Sequence, residues 1–446
     1  MSTTACVART PLENWIAGRL GVPGSSLTQE DLRRYQLAAL RETVAWARRH
    51  SSFYARHLAS LPLDFPRTLE DLARLPFTTA NDLAENAHGF LCVAQDQISR
   101  VVTFNTSGTT GSSKRIFFTP HDQELTLEFF AHGISTMAAT GDRMLIALPG
   151  EREGSVGYQL ARGIERAGIL AIPHGLSADP QRTLARMEEE GAACIIGLPV
   201  QMLALAMRDC ALASRVFRRL RSIVLCSDHA AKSLVRRLRQ RTGAEIFEHY
   251  GMTEMGLGGG VDCAAHMGYH LREPDLFFEI VEPETGEPLP EGEVGEIVFT
   301  TLNRTGTPLI RYRTGDLSRF LPGMCGCGTI LKRLERVQGR VDGSVRLTGG
   351  GYISMATLDE ALFAIPGLLN FTAVLHHNSP QRLEVTIHSP GIDASDFQST
   401  VCAALERVPV LRESCANGEL RIDFIQTRAP FPVTGAKRKI EVRAGQ

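Results

Sequence analysis

At 446 residues the chain exceeds the size at which a single hydrophobic core stops growing, so two or three domains are expected. Hydrophobic residues at 43%, charged residues at 22% and a net charge of -1 describe an ordinary soluble protein, with no basic excess pointing to nucleic acid and no acidic tail. The opening stretch MSTTACVARTPLENWIAGRL lacks a continuous apolar run, and no apolar stretch is long enough to span a bilayer, so a cytoplasmic setting without a membrane partner is expected. Ten cysteines are too sparse and irregular for a disulfide scaffold; Cys6, Cys92, Cys194, Cys210, Cys226, Cys402 and Cys415 stand alone and read as buried or incidental thiols.

Residues 30–49 show helical spacing, with Leu32, Tyr35, Leu37, Leu40 and Trp46 on a broad apolar face, and the segment to about residue 95 reads as a helical cap. Extended and helical segments then alternate: VVTF (101–104), helical 121–138, MLIAL (144–148), helical 155–167, ILAIP (169–173), helical 180–190, ACIIG (193–197), helical 200–208, SIVLC (222–226), helical 230–241 and AEIFEHY (244–250). That alternation predicts parallel strands with crossover helices, which gather ligands at the C-terminal ends of the strands. From about 270 to 338 the texture changes to strand-like FFEIV and EIVFTTL joined by Gly/Pro/Glu turns, a β-rich subdomain. After Gly339 come strands at 370–376, 382–388 and 420–426 with helices at 357–364 and 395–406, a small α+β domain. The fold class expected is α/β, with a large N-terminal domain (1–339) and a small C-terminal domain (340–446). The arginine-rich runs RVFRRLRS and VRRLRQR read as solvated helix faces.

Three stretches carry the chemistry. In TSGTTGSSK (106–114), Gly108 and Gly111 let backbone N–H groups approach an anion, Thr106, Ser107, Thr109, Thr110, Ser112 and Ser113 add hydroxyls, and Lys114 adds a mobile charge. The Walker spacing is absent, so this is a phosphate loop of another kind or a surface loop. Tyr250-Gly251-Met252-Thr253-Glu254 follows a strand and offers one carboxylate of the type Mg²⁺ takes while it also binds phosphate. Tyr312-Arg313-Thr314-Gly315-Asp316 places a second carboxylate where it can accept the two hydroxyls of a ribose.

In this order and spacing these stretches, followed by GRVDG (339–343) and a terminal lysine, resemble the adenylate-forming superfamily of acyl-CoA synthetases, peptide-synthetase adenylation domains and luciferases. The short length, PLIRYRTGDL and VEPETGEPLPEGEVGEIVFTTL are most similar to its phenylacetate-CoA ligase branch. The resemblance implies ATP-dependent activation of a carboxylic acid, aryl or arylacetic, to an acyl-adenylate with loss of pyrophosphate, then transfer to coenzyme A. It leaves open a carrier protein as acceptor, a deazaflavin cofactor as the acid, and a binding protein that keeps nucleotide without turnover; dimerisation is implied by resemblance alone. It also implies roles. Thr106 to Gly111 and Lys114 would grip the β- and γ-phosphates, Tyr250, Gly251 and Thr253 would line the nucleotide, and Glu254 would hold Mg²⁺. Asp316 would bind ribose, Arg340 would position nucleotide, and Asp342 would be the hinge of a mobile C-terminal domain. In PFPVTGAKRKIEVR (430–443) the resemblance implies Lys437 as the catalytic lysine; because Gly-Ala-Lys-Arg-Lys stands where the family has Ser-Gly-Lys, the register leaves Lys439 as its rival.

Cys263, His270, Cys325 and Cys327, in CAAHMGYH and CGC, offer three thiolates and an imidazole, a full tetrahedral set for structural Zn²⁺, or four unlinked residues. His266 is the alternative to His270, and some members of the resembled branch carry such a zinc. By resemblance, GSVGYQLARG (154–163) lines the acid, which makes Tyr158 a candidate. Ser227-Asp228-His229 departs from the family's usual turn, and His249 precedes the tyrosine motif. These polar groups indicate an acid more polar than phenylacetate, or contacts to adenine or water.

Overall fold

The computed structural model describes residues 7–23, 26–105, 113–377, 379–389, 394–429, 433 and 437–444, without the side chains at 104, 105 and 394–397. The chain forms two compact units. One comprises Met1–Thr140, Arg162–Gly168 and Glu248–Arg336, the other Gly141–Ala161, Ile169–Phe247 and Val337–Gln446. Among the described residues no helix is long and apolar enough to cross a membrane.

In the first unit, helix Gln29–His50 starts at a capping box in which Thr28 and Asp31 satisfy each other's backbone N–H. Its buried face is Leu32, Gln36, Ala39, Leu40, Thr43, Val44 and Ala47. Tyr35, Leu37 and Trp46, expected on that face, are half-buried at its flanks. Gln36 and Thr43 take the interior positions because each finds a backbone oxygen: Gln36 Nε2 donates to Glu273 O at 3.0 Å and Thr43 Oγ1 to Leu302 O at 3.5 Å.

Strand Arg100–Asn105 pairs antiparallel with Ser113–Phe118, Asn105 facing Ser113. The expectation that VVTF belongs to the parallel series is thereby corrected. So short a connection joins antiparallel strands, whereas a parallel pair needs a crossover of a dozen or more residues. Strands Leu276–Val281, Gly295–Thr301 and Tyr312–Ser318 form an antiparallel sheet in the expected β-rich region. Along Tyr312–Ser318 burial alternates, so Tyr312, Thr314, Asp316 and Ser318 share one buried face. Strands Gly260–Val261, Tyr269–Leu271 and Arg333–Leu334 pair antiparallel in series, with His249 opposite Val261 and Tyr250 opposite Gly260.

In the second unit, strands Arg143–Ala147, Leu170–Pro173, Cys194–Gly197 and Ser222–Leu225 are parallel as predicted; Arg143–Ala147, Cys194–Gly197 and Ser222–Leu225 are buried nearly throughout, as strands covered on both faces are, whereas Leu170–Pro173 lies at the sheet edge with Leu170 and Pro173 exposed. Strands Asn370–His377, Gln381–His388, Leu420–Thr427 and Glu441–Ala444 form a second sheet. One apolar core runs through the unit, from Leu145 and Ile195 through Leu234 and Leu238 to Leu358, Phe363 and Ile440. The run VRRLRQR is not simply solvated. Arg237, on helix Lys232–Thr242, donates to the carbonyls of Phe363, Ile365 and Leu368 at 3.3, 3.4 and 2.9 Å.

The strand bearing Tyr312 and Asp316 is anchored by Arg311, which is buried. Its guanidinium donates to Glu279 at 3.0 and 3.2 Å and to the carbonyls of Ala73 and Leu75 at 2.8 Å each, and it lies 4.1 Å from the Phe77 ring centroid. Burial raises the pKa of Glu279, with Arg311 opposing. Arg311→Met strands a carboxylate and two carbonyls out of water, and a loss on the order of 3–5 kcal/mol is expected in urea unfolding; Glu279→Gln added to it should recover part. A loss under about 1 kcal/mol would contradict this account.

Candidate active site and metal centre

Strand Glu245–Tyr250 delivers Tyr250 to a turn that only glycine permits at Gly251, where a Cβ would lie 2.1 Å from Leu257 O. The following helical turn Thr253–Met255 carries Glu254 inward until the residue is 2% exposed. Three donors meet it. Lys114 Nζ donates to Glu254 Oε1 at 2.7 Å, Tyr312 OH to the same oxygen at 3.2 Å, and Arg304 Nη1 to the Glu254 carbonyl at 2.6 Å. Lys114 Nζ also lies 3.5 Å from Tyr312 OH. The structure thus brings the lysine of the glycine loop and the carboxylate expected to hold Mg²⁺ into direct contact.

Asp316, on the same strand face as Tyr312, accepts from Tyr250 OH at 3.1 Å. Tyr250 stacks on Tyr269 at 5.9 Å, Tyr269 OH donates to Glu248 at 3.3 Å, and Glu248 pairs with Arg336 at 2.8 Å. Burial raises the pKa of Tyr269, with Glu248 adding to the effect, so its phenol keeps the proton that this chain of contacts uses. His249 sits 6.3 and 6.2 Å from the Phe129 and Phe130 rings, and burial pushes its pKa down to about 4, leaving it neutral at pH 7.

Thr106, Ser107, Gly108, Thr109, Thr110 and Gly111 lie outside the described residues. In the second unit, Arg340 ends the short strand Gly339–Arg340 and Asp342 is exposed in the turn Val341–Gly343. Tyr158 is half-buried on helix Val156–Arg166, its OH donating to Glu153 at 3.5 Å. Ser227 holds a left-handed backbone, φ 70°, which costs a residue with a Cβ on the order of 1 kcal/mol. Asp228 accepts from the His229 N–H at 2.9 Å, and His229 Nε2 lies 3.5 Å from Glu360. Lys437 and Lys439 are both exposed, with half-buried Arg438 between them.

Cys263, His270, Cys325 and Cys327 come together, all buried, with their ligand atoms within 4.8 Å of one another. Cys263 Sγ is 3.7 Å from Cys325 Sγ, and Cys327 Sγ is 3.5 Å from His270 Nε2. Tetrahedral Zn²⁺ with ordinary bond lengths separates two sulfurs by about 3.8 Å and sulfur from nitrogen by about 3.5 Å, so the set fits the ion. The other histidine is engaged elsewhere: His266 Nδ1 is 2.8 Å from Asp262 Oδ2. Helix Pro11–Leu20 and the residues just before it cover this region, with buried Glu13 accepting from the Ile330 N–H at 3.0 Å and from the Thr329 hydroxyl, and Val7 packing on the cysteines.

A family model described as AMP-binding enzyme matches residues 72–303. The phenylacetate-coenzyme A ligase of Thermus thermophilus is 30% identical over 88% of this chain and 90% of its own length. The chain belongs to the AMP-binding enzyme family. The phenylacetate-coenzyme A ligase of Pseudomonas putida is 31% identical over 73% of this chain and 74% of its own. Among solved structures, 2-hydroxyisobutyryl-CoA ligase in the postadenylation state shares the fold, with a TM-score of 0.78 at 21% identity over 94% of this chain and 90% of that one.

In this AMP-binding enzyme Arg304 and Tyr312, to which the sequence motifs give no role, join the contacts around Glu254. Tyr312 was readable, because it precedes Asp316 by four residues in a strand and so shares its face. Arg304 gave no signal; a charged residue in a turn becomes a site residue only once its burial is seen. About one equivalent of zinc per chain is expected by mass spectrometry, and Cys325→Ser with Cys327→Ser should bring it below about a tenth. Wild-type protein already below about a tenth would rule the centre out.

Proposed function

We infer that the chain is an AMP-forming acid–thiol ligase, which activates a carboxylic acid with ATP and passes the acyl group to coenzyme A. The observation that carries this is the buried contact of Lys114, Tyr312 and Glu254, joined through one strand and one turn to the Tyr250–Asp316 pair. It occurs in a chain similar over most of its length to phenylacetate-coenzyme A ligases.

In the first half-reaction a carboxylate oxygen of the acid bonds to the α-phosphorus of ATP, the bond from that phosphorus to the β-bridging oxygen breaks, and pyrophosphate leaves. Charge on the phosphoryl oxygens is stabilised by cationic groups already in place, without a covalent intermediate on a protein side chain. Glu254, fixed by Tyr312 and by Arg304 on its carbonyl, would hold Mg²⁺, which supplies further charge neutralisation. Lys114 and the loop from Thr106 to Gly111 would then face the β- and γ-phosphates, and Asp316, oriented by Tyr250, the ribose hydroxyls. Arg340 would position nucleotide and Lys437 would meet the reacting acid in this half-reaction.

In the second half-reaction the coenzyme A sulfur, as thiolate, bonds to the acyl carbon, the bond from that carbon to the AMP oxygen breaks, and the thiol proton passes to solvent. Residues from 340 onward would move about Asp342 between the two steps. The acid in this reading is aryl or arylacetic, a choice supported by the neutral His249 beside Phe129 and Phe130. The Cys₃His set would be a closed structural zinc centre with no position for a reacting water.

A pyrophosphate-release screen over aromatic, heteroaromatic and amino acids tests this. At least one aryl or arylacetic acid should raise release about tenfold over the acid-free rate, and adding coenzyme A should convert the adenylate to free acyl-CoA. Release with no acid in the panel, or an acyl-adenylate that coenzyme A leaves unchanged, would contradict the assignment.

A further inference from the structure

The segment that carries the two candidate lysines is held by the residue between them. Arg438 Nη1 donates to Asp359 Oδ1 at 2.7 Å and Nη2 to Phe371 O at 3.3 Å, while its guanidinium carbon lies 5.2 Å from the Phe363 ring centroid and 4.5 Å from that of Phe371. Asp359 is 1% exposed, on helix Met355–Leu362. Burial raises Asp359 to about 6, against Arg438 and His229, so it is ionised at pH 7.5 and the pair is charged. Exposure then alternates along the segment: Lys437 and Lys439 are exposed, Arg438 is half-buried and Ile440 is buried.

Helix Met355–Leu362 is itself fixed against the turn that follows strand Ser222–Leu225. Helix Lys232–Thr242 lacks a capping side chain of its own, and Glu360 supplies one, accepting from the Lys232 N–H at 3.1 and 3.2 Å. Arg237 returns the contact at the other end, on the carbonyls of Phe363, Ile365 and Leu368. Each helix thus satisfies groups the other leaves open at a terminus. His229, in the turn, meets Glu360 at 3.5 Å. Asp228, beside it, feels Arg438 and Lys437, both of which oppose the rise that burial imposes on its pKa.

We propose that Asp359 and Arg438 are positioning residues for the first half-reaction: the buried pair anchors the C-terminal segment on helix Met355–Leu362 and presents Lys437 at the Asp228 turn. This rests on the reading of Lys437 as the lysine that meets the reacting acid. The pair touches no substrate; it acts by restricting where the lysine ammonium can be, and a displacement of about an ångström in such a group costs on the order of a hundredfold in rate.

The test compares Asp359→Asn, Arg438→Ala, Arg438→Lys and Lys437→Ala by hydrogen–deuterium exchange over 437–444 and by two kinetic assays at pH 7.5. One is pyrophosphate release with the best acid of the aromatic panel and, in every case, phenylacetate; the other is thioester formation from synthetic phenylacetyl-adenylate and coenzyme A. Asp359→Asn and Arg438→Ala should raise exchange over 437–444 about tenfold. They should lower kcat of pyrophosphate release about 10–100-fold with KM for ATP within about twofold, and leave thioester formation within about twofold. Arg438→Lys should fall between them and wild type. Unchanged exchange, or equal losses in both half-reactions, overturns the proposal. A dead Lys437→Ala beside an active Asp359→Asn overturns the positioning pair alone. An active Lys437→Ala beside a slow Asp359→Asn overturns the Lys437 reading, and with it the presentation proposed here.

Discussion

Glu254 is a carboxylate taken out of water, and the rest of the first unit is arranged so that it is not taken out alone. A buried charge without partners costs several kcal/mol, so Lys114 from the hairpin and Tyr312 from the β-rich sheet must arrive together at the carboxylate, while Arg304, from the turn before the Tyr312 strand, satisfies the Glu254 carbonyl. The same constraint recurs one step away, where Asp316 has Tyr250, and again where Glu279 has Arg311. These contacts pin strands distant in sequence to one another. The carboxylates that handle the nucleotide in our reading therefore also fix the geometry of the site.

The legible part of the sequence was the polar part. Lys114, Glu254 and Asp316 could be read because each follows a glycine by one to three residues in a short polar motif, where a charged residue has no packing reason to be. The parallel strands were legible for the opposite reason, since segments such as MLIA and CIIG tolerate no polar position. What stayed hidden were pairings whose halves look ordinary in isolation. Ser113–Phe118 is too short to announce a hairpin, Gln36 and Thr43 are buried only because backbone oxygens await them, and Arg237 reads as surface until the carbonyls it satisfies are seen.

The cysteine cluster shows the same limit from another side. CGC and CAAHMGYH are separated by too many residues for spacing to decide between a metal site and coincidence, whereas sulfur–sulfur and sulfur–nitrogen separations near those of a tetrahedral ion speak to it directly. Glu13, buried on the N-terminal helix, satisfies the loop that carries two of the three clustered cysteines. In the second unit, an equivalent economy of partners lets two helices cap one another and lets one arginine hold the segment on which the lysines lie.

The central claim is that the acid's own oxygen attacks the α-phosphorus. It is tested most directly with an aryl acid that releases pyrophosphate, labelled with ¹⁸O in both carboxylate positions, and mass analysis of the products after coenzyme A is added. The account predicts AMP carrying one ¹⁸O and unlabelled pyrophosphate. Unlabelled AMP, or label in inorganic phosphate, would contradict it.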